Sequence, residues 1–467
     1  MNDPNGLVVE GGRLHVFFQH EPDSPRWGRM RWGHAVTADL VSWEHLPTAL
    51  EPSPDGPDAL GCWSGCIVRD DTGGPVAFYT GVVLDQGLRR ASICMARGDP
   101  SLTYWTKEPL PVIAAPPAGI APDMFRDPFV WRSEHGWEMA VGAGTTAGRG
   151  RVLHYRSKDL LKWTDVGPLL TTEALVDACP DLEVAEIDSA CWECPQVARI
   201  GDLICLIVSI VDRSPIVRPA HVVAVTGQMV SGSFVPMHAE RLDLGPDFYA
   251  PATLSLPDGR VLLFGWIPED PPGPDEERTW AGAMTLPRVV SLAPAGRPRI
   301  SLADEVDDIG ETIARWADIE VRDDEPWLVM LAGAHAELRM EIEPRGVPLR
   351  LDVLANGTLV AEVRFDPRSL RLAATRIGRV MVAGLSPTGA ATLPPGCADR
   401  VDLRLIIDGS ILELVAADVV TATVRLPASV GGRTISCTTF GGRSTIRAAE
   451  LRTLESRRQR KLSILSR

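Results

Sequence analysis

Three acids have the type and setting for bond-breaking chemistry: Asp3 in M-N-D-P-N-G, Asp127 in F-R-D-P and Glu193 in W-E-C-P. Each stands in otherwise apolar or aromatic company. Cleaving an acetal requires a proton for the departing oxygen and an anion facing the developing oxocarbenium ion, so two carboxyls are the minimum. Their proton affinities must be split, one group charged and the other protonated near neutrality. Glu193, flanked by Trp192 and Cys194, has the more apolar surroundings, which favour the neutral carboxyl. That makes it the candidate acid. Asp3, beside the amides of Asn2 and Asn5, is the candidate nucleophile. Asp127 follows Arg126, which should hold it ionised and suited to gripping sugar hydroxyls.

These acids are far apart in the chain, so the fold must bring them together. A hairpin pattern recurs five times, each copy entered through a polar residue: Asp3, Ser64, Asp127, Glu193 and Asp247, spaced 61, 63, 66 and 54 residues apart. The runs Leu7–Val9 and Leu14–Gln19, or Gln196–Ile200 and Leu203–Val211, are β-prone stretches bounded by Gly and Asp turns. A second mark keeps the same period, since Leu40-x-x-Trp43, Leu102-x-x-Trp105 and Leu160-x-x-Trp163 stand 62 and 58 residues apart. A repeat of this size suits a four-stranded blade, and radial repetition of blades gives a β-propeller. The five polar entries then converge on one mouth of the channel. Turn formation explains any single acid ahead of a strand, but not five polar entries in register.

The fold class expected is therefore all-β: a five-bladed propeller over residues 1–295, a linker over 296–318, a β-sandwich over 319–455 and a basic tail over 456–467. The sandwich is indicated by short alternating strands such as Glu337–Ile342, Leu403–Ile407 and Ile411–Val415. The segment Leu302–Trp316 is ambiguous and has room for a short helical turn.

Bulk properties narrow the function. A net charge of −14 opposes nucleic-acid binding, which needs clustered cations; the basic run Arg457, Arg458, Arg460, Lys461 reads as a solvated end. Nine scattered cysteines form neither a disulfide framework nor a metal-spaced set, Cys191-x-x-Cys194 having no second pair. No apolar run is long enough to span a bilayer. These features imply a soluble cytoplasmic chain acting on a small-molecule or oligosaccharide ligand, with no membrane or nucleic-acid partner; oligomeric state is left open. Gln19 ends a buried-looking strand with a polar side chain, which favours a ligand. Trp27, Trp63 and Trp266 offer flat faces to a sugar ring, whereas Trp43, Trp105 and Trp163 read as packing residues. His15, His20, His34, His45 and His154 read as structural.

In order along the chain, N-D-P-N-G (2–6), F-F-Q-H (17–20), W-G-H-A-V (32–36), D-L-x-x-W (39–43), W-S-G (63–65), F-R-D-P (125–128), E-C-P (193–195), D-F-Y-A (247–250) and W-A-G-A-M-T-L-P-R (280–288) together resemble glycoside hydrolase family 32, the β-fructofuranosidases. The resemblance runs from Asn2 to about Leu292 and continues weakly in Asp408-Gly409-Ser410-x-x-Glu413. It implies retaining hydrolysis of terminal β-D-fructofuranosyl units from sucrose and fructans, with Asp3 as nucleophile, Asp127 as transition-state stabiliser and Glu193 as acid/base. Asn2, Gln19, Trp27, Ser64, Arg126, Asp247, Tyr249 and Trp266 fall on positions similar to the fructose-binding residues. No metal or organic cofactor is implied. Two departures stand out. The lead-in that usually precedes this first motif is missing, so an upstream start is expected to have been lost. Gln196 also replaces the acid usual in E-C-P-D. An inverting arabinofuranosidase on the same fold and a non-catalytic fructan-binding protein remain as alternatives, and the loops Pro52–Gly61 and Glu269–Arg278 are expected to shape the outer subsites.

Overall fold

The computed structural model describes residues 1–454 except 180–186, 188, 212–218, 270–278, 332, 378–387 and 428–431; the basic tail lies outside the described residues, as does nearly all of the Glu269–Arg278 loop. Two compact units are present, one formed by Met1–Arg241 with Tyr249–Pro298, the other by Leu242–Phe248 with Arg299 onward. Among the described residues no helix is long and apolar enough to cross a membrane.

The first unit consists of five antiparallel blades. Blade one is Pro4–Glu10, Arg13–His20, Arg31–Thr37 and Trp43–Leu50, and blade two is Gly61–Arg69, Pro75–Asp85, Leu88–Gly98 and Trp105–Lys107. Blade three is Ile120–Ser133, Gly136–Thr145, Gly150–Ser157 and Trp163–Thr171, and blade four is Trp192–Ile200, Leu203–Val211, Pro219–Val230 and Ser233–Arg241. Blade five is built on Tyr249–Ser255, Val261–Ile267 and Arg288–Leu292, with Ala283–Met284 pairing beside its second strand. The first strands of successive blades pack side by side, and that of blade five returns to that of blade one. This closes the propeller anticipated from the repeat.

The periodic tryptophans show how the sequence seals the ring. Trp105 of blade two stands edge-on to Phe17 of blade one at 5.9 Å, Trp163 of blade three to Phe78 of blade two at 5.7 Å, and Trp43 of blade one to Phe264 of blade five at 5.8 Å. Each such pair contributes about 0.5–1.5 kcal/mol beyond its buried area. Their position is set by a recurring turn: Asp39, Asp99 and Asp159 accept hydrogen bonds from backbone amides two to five residues on, while Leu40, Leu102 and Leu160 take φ of 60°, 61° and 65°.

The second unit stacks two six-stranded antiparallel sheets. Their inner faces form one apolar core that includes Leu338, Leu351, Val363, Leu405, Ile435 and Ile446. The stretch 296–318, expected as a linker, instead carries a strand (Pro298–Leu302), a 3-10 turn (Asp304–Asp308) and the start of strand Glu311–Arg322. Its Pro/Gly/Arg opening hides the alternation that follows. The excursion Leu242–Phe248, expected within the propeller, belongs to this unit, with Leu244 in its core and bonded to Thr421.

Candidate active site

Strand alternation sends neighbouring residues to opposite faces, yet three chain-adjacent pairs, Asn2 with Asp3, Trp63 with Ser64 and Arg126 with Asp127, line one cavity of about 340 Å³. Asn2 and Asp3 stand ahead of the first strand, which begins at Pro4, and for the other two pairs the cause is an irregularity within the strand. In all five blades the pairing register of the first strand skips at the channel end: after Asn5, after Trp63, beside Arg126, after Glu193 and after Tyr249. A bulge of this kind re-aims side chains that straight alternation would hide. In four blades the bulge holds a left-handed residue: Gly6 (φ 47°), Asp127 (63°), Cys194 (47°) and Ala250 (44°). Glycine adopts this conformation freely; the other three hold strain of about 1–3 kcal/mol each. Local bonds hold it in place: the Asp127 amide donates to Thr80 Oγ1 at 2.7 Å, and the Cys194 amide to Asp127 Oδ2 at 3.0 Å.

Asp3 is half-buried and fixed by its neighbours. Its backbone carbonyl accepts from the Gln19 amide at 2.9 Å, and the Asn2 amide donates to the Gln19 carbonyl at 3.0 Å. Ser64 Oγ donates to Asp3 Oδ2 at 2.6 Å and Asn2 Nδ2 to Oδ1 at 3.2 Å. Asn5, expected to donate as well, instead accepts from the Gly65 amide at 3.3 Å. Burial pushes the Asp3 carboxyl up to about 6 despite the opposing Ser64 bond, with the charge of Glu193 adding to the rise. Cys194 Sγ lies 3.7 Å from Asp3 Oδ2 and 3.5 Å from Asp127 Oδ2, bridging the two aspartates.

Arg126 was expected to hold Asp127 ionised. Its Nη1 instead donates to Glu193 Oε1 at 3.0 Å, and Tyr249 Oη donates to Glu193 Oε2 at 2.8 Å. Asp127, buried and close to two other acids, has its proton affinity raised, chiefly by burial and then by Glu193, with Arg126 pulling the other way. The neighbour in sequence is thus not the partner in space, because the bulge points the two side chains to different groups.

Asn2, Asp3, Gln19, Trp27, Trp63, Ser64, Arg126, Asp127, Glu193, Tyr249 and Trp266 all line the cavity. Asp247 does not. It is buried within the second unit, where Arg376 Nη1 donates to its Oδ1 at 3.1 Å and the Arg425 amide to its Oδ2 at 2.7 Å. Two residues later the chain returns to the propeller, and Tyr249, not Asp247, is the fifth blade's entry. Two contributors escaped the sequence. Arg89, on the second hairpin of blade two, lines the cavity; an exposed arginine in an arginine-rich chain carries no distinguishing sign. Thr80, buried in Y-T-G, also donates to the Ser64 carbonyl at 3.2 Å and so joins blade two to the Asp127 bulge.

Gln196 does not bond Glu193. Its Oε1 accepts from the Thr253 amide at 2.9 Å and Thr253 Oγ1 at 3.3 Å, latching blade four to blade five. The loop Pro52–Gly61 wraps the buried Asp58, which accepts from the Ser53 amide at 2.9 Å and Tyr79 Oη at 2.8 Å and pairs with Lys107. His15 and His34 share a buried 2.9 Å bond, His34 stacking on Phe17, and His154 pairs with Glu138. All nine cysteines are buried, and no two of them form a disulfide.

Residues 1–300 match the family model described as the glycosyl hydrolases family 32 N-terminal domain. Sucrose-6-phosphate hydrolase of Escherichia coli is 36% identical over 309 residues, covering 62% of this chain and 60% of its own length. Raffinose invertase of Escherichia coli is 35% identical over 303 residues, covering 62% and 60%. The chain therefore spans about three-fifths of the length of these curated relatives. Among solved structures, a Bombyx mori GH32 β-fructofuranosidase is similar with a TM-score of 0.79 at 25% identity, over 97% of this chain and 91% of that one.

Proposed function

Because the chain belongs to glycosyl hydrolase family 32, we propose that it is a retaining β-fructofuranosidase that releases terminal β-D-fructofuranosyl units from sucrose and from β-linked fructans. The observation that carries this is the convergence of Asp3, Asp127 and Glu193 in one cavity with aromatic walls and amide donors.

In the first step Asp3 attacks the anomeric C2 while Glu193 gives its proton to the glycosidic oxygen, which departs as an alcohol. The product is a fructosyl ester on Asp3. Water then attacks C2, Glu193 takes its proton, and the ester bond breaks with Asp3 regaining its negative charge. Two displacements restore the starting configuration. The Ser64 and Asn2 donors hold one rotamer of Asp3 and follow its charge as it is lost and regained. Arg126 and Tyr249 fix the two oxygens of Glu193, so its proton is delivered from a defined position. Asp127 accepts from sugar hydroxyls, and its raised proton affinity suits a group whose bonds strengthen as positive charge grows on the ring. Trp27, Trp63 and Trp266 supply flat C–H contacts. Nine buried cysteines with no disulfide between them support work in a reducing compartment such as the cytoplasm.

The test is fructose release from sucrose, inulin and levan by wild type, Asp3→Ala and Glu193→Gln, with the anomer of the first-formed product read by NMR. Release of β-fructose by wild type alone is expected. Wild type no faster than both variants on every substrate overturns the proposal, and inversion at C2 overturns the double displacement.

A further inference from the structure

Thr80 stands on the second strand of blade two and is completely buried. Its strand partner is Trp63, and the register skips just beyond that pair, leaving Ser64 as the extra residue before Gly65. Thr80 therefore lies opposite the bulge that presents Ser64 to Asp3. A hydroxyl has one proton to give and lone pairs to receive, and here both are used. Thr80 Oγ1 donates to the Ser64 carbonyl at 3.2 Å and accepts from the Asp127 amide of the next blade at 2.7 Å. The hydroxyl is itself well anchored. Tyr79 Oη before it donates to Asp58 at 2.8 Å, a Cβ on Gly81 after it would lie 2.5 Å from Cys94 Sγ, and the β-branch stiffens χ1.

The equivalent position in the next two blades makes no such bond among the described residues. In blade three it is Gly142, paired with Arg126, and a Cβ there would lie 2.4 Å from the Trp192 carbonyl, so the position again faces the entry of the following blade. In blade four it is Ser209, paired with Glu193, whose buried hydroxyl has no hydrogen-bond partner among the described residues. What distinguishes Thr80 is the group it meets. Asp127 has φ 63°, a conformation costly for any residue but glycine, and its buried amide needs an acceptor. Thr80 supplies it. With the backbone held, Asp127 Oδ2 takes the Cys194 amide at 3.0 Å, and Ser64, at the other end of the Thr80 hydroxyl, donates to Asp3 Oδ2 at 2.6 Å. One side chain thus ties the placement of Asp127 to that of the residue gripping Asp3.

Resting on the fructosidase proposal, we infer that Thr80 is a positioning residue whose hydroxyl holds Asp127 in its left-handed bulge and fixes it relative to Ser64, so that the stabilising and the attacking carboxylates engage one sugar ring. Thr80 lies outside the set of cavity-lining residues and touches no substrate. Its loss is felt through Asp127, whose bonds to the sugar hydroxyls strengthen as charge grows on the ring, so it lowers kcat more than it raises KM.

Two measurements decide this. The first is kcat and KM for sucrose with wild type, Thr80→Val, Thr80→Ser and Ser209→Ala, each at a temperature where it is folded. Valine keeps the shape of threonine and removes both bonds, whereas serine keeps the hydroxyl. Misplacing a reacting group by about 1 Å costs about 10²-fold, so Thr80→Val is expected to lower kcat by about 10- to 100-fold while KM stays within about threefold. Thr80→Ser should recover most of the loss, and Ser209→Ala should stay near wild type. A wild-type kcat in Thr80→Val, a loss confined to KM, or an equal loss of kcat in Thr80→Ser or Ser209→Ala overturns the inference. If Thr80→Val does not fold, Thr80→Cys, which puts a weaker acceptor at the same place, is held to the same criteria with a smaller fall. The second measurement is the crystal structure of wild type and of Thr80→Val or Thr80→Cys. Asp127 is expected to leave the left-handed region and lose its bond from the Cys194 amide; an Asp127 that stays in place refutes the positioning role whatever the rates. This geometry separates the inference from the proposal beneath it. If wild type releases no fructose from any β-fructoside the hydrolase proposal falls, while an Asp127 conformation that depends on Thr80 still upholds the positioning and one that does not still refutes it.

Discussion

Ser64 Oγ donates to Asp3 Oδ2 across 2.6 Å, from blade two to blade one. The bond favours the anion of Asp3 against the burial that pushes its carboxyl up to about 6. A nucleophile must be ionised, so kcat/KM should fall as pH drops through about 6. Ser64→Ala removes a donor to the charged form and should move this acid limb upward by about one pH unit, since hydrogen bonds to charged groups are worth about 1.5–3 kcal/mol. The limb belongs to Asp3 and Asp127 together, because two acids bridged by one thiol titrate as a pair. An acid limb that stays in place in Ser64→Ala would remove Ser64 from this role.

Asp3 also sets activity against stability. The folded protein binds its proton more tightly than the unfolded chain, where the carboxyl keeps its ordinary value of 3.8. Above about pH 6 the buried anion therefore costs stability, at most about 3 kcal/mol, and below about pH 4 it costs none. Asp3→Asn should abolish turnover yet raise the thermal midpoint by a few degrees at about pH 8, with the gain vanishing in acid. Scanning calorimetry at the two pH values checks this; an Asn variant less stable than wild type at both contradicts it.

Glu193 is the proton carrier in the proposed reaction, and its loss has a chemical signature. Glu193→Ala should slow sucrose turnover by about 10²- to 10⁴-fold, the usual worth of general acid–base catalysis. Any fructosyl ester that still forms waits for a nucleophile. Azide needs no proton removed and fits the space vacated by the side chain, so it should intercept that ester in place of water and yield β-fructosyl azide. Mass spectrometry of the product checks this, and azide that does not appear in the product speaks against Glu193 as the acid/base.

Much of the site could be read from the sequence because it lies on the repeat. A polar residue ahead of the innermost strand recurs at nearly constant spacing, so Asp3, Ser64, Asp127 and Glu193 were identifiable without coordinates. Features off the repeat were not. Arg89 stands on a second hairpin, where the period gives no mark. The pairing of Arg126 with Glu193 instead of Asp127 depends on a bulge, and an aspartate ahead of a strand, equally at home in a turn, does not mark where the pairing register skips. Leu242–Phe248 was assigned to the propeller because nothing in its composition differs from its flanks; its destination is set by contacts with residues far along the chain, Thr421, Thr423 and Arg425. Asp247 occupies the expected register of a fifth entry, so the sequence alone places it in the site for the same reason.

The corrected role of Asp247 is itself testable. Its carboxylate is buried in the second unit against Arg376, whose side chain is only 7% exposed, and it accepts from the Arg425 amide. Removing one member of a buried, hydrogen-bonded ion pair costs about 3–5 kcal/mol. Asp247→Ala should therefore lower the thermal midpoint by roughly 10 °C, at 2–4 °C per kcal/mol for a unit of this size. Asp247→Asn keeps the shape and the acceptor for the Arg425 amide but loses the charge, and should fall between. A substrate-binding residue would give the opposite pattern, with a raised KM and an unchanged midpoint. At a temperature where Asp247→Asn remains folded, its KM for sucrose should stay within about twofold of wild type, because the lost interaction lies outside the cavity. A large rise in KM without loss of stability would return Asp247 to the substrate-binding set.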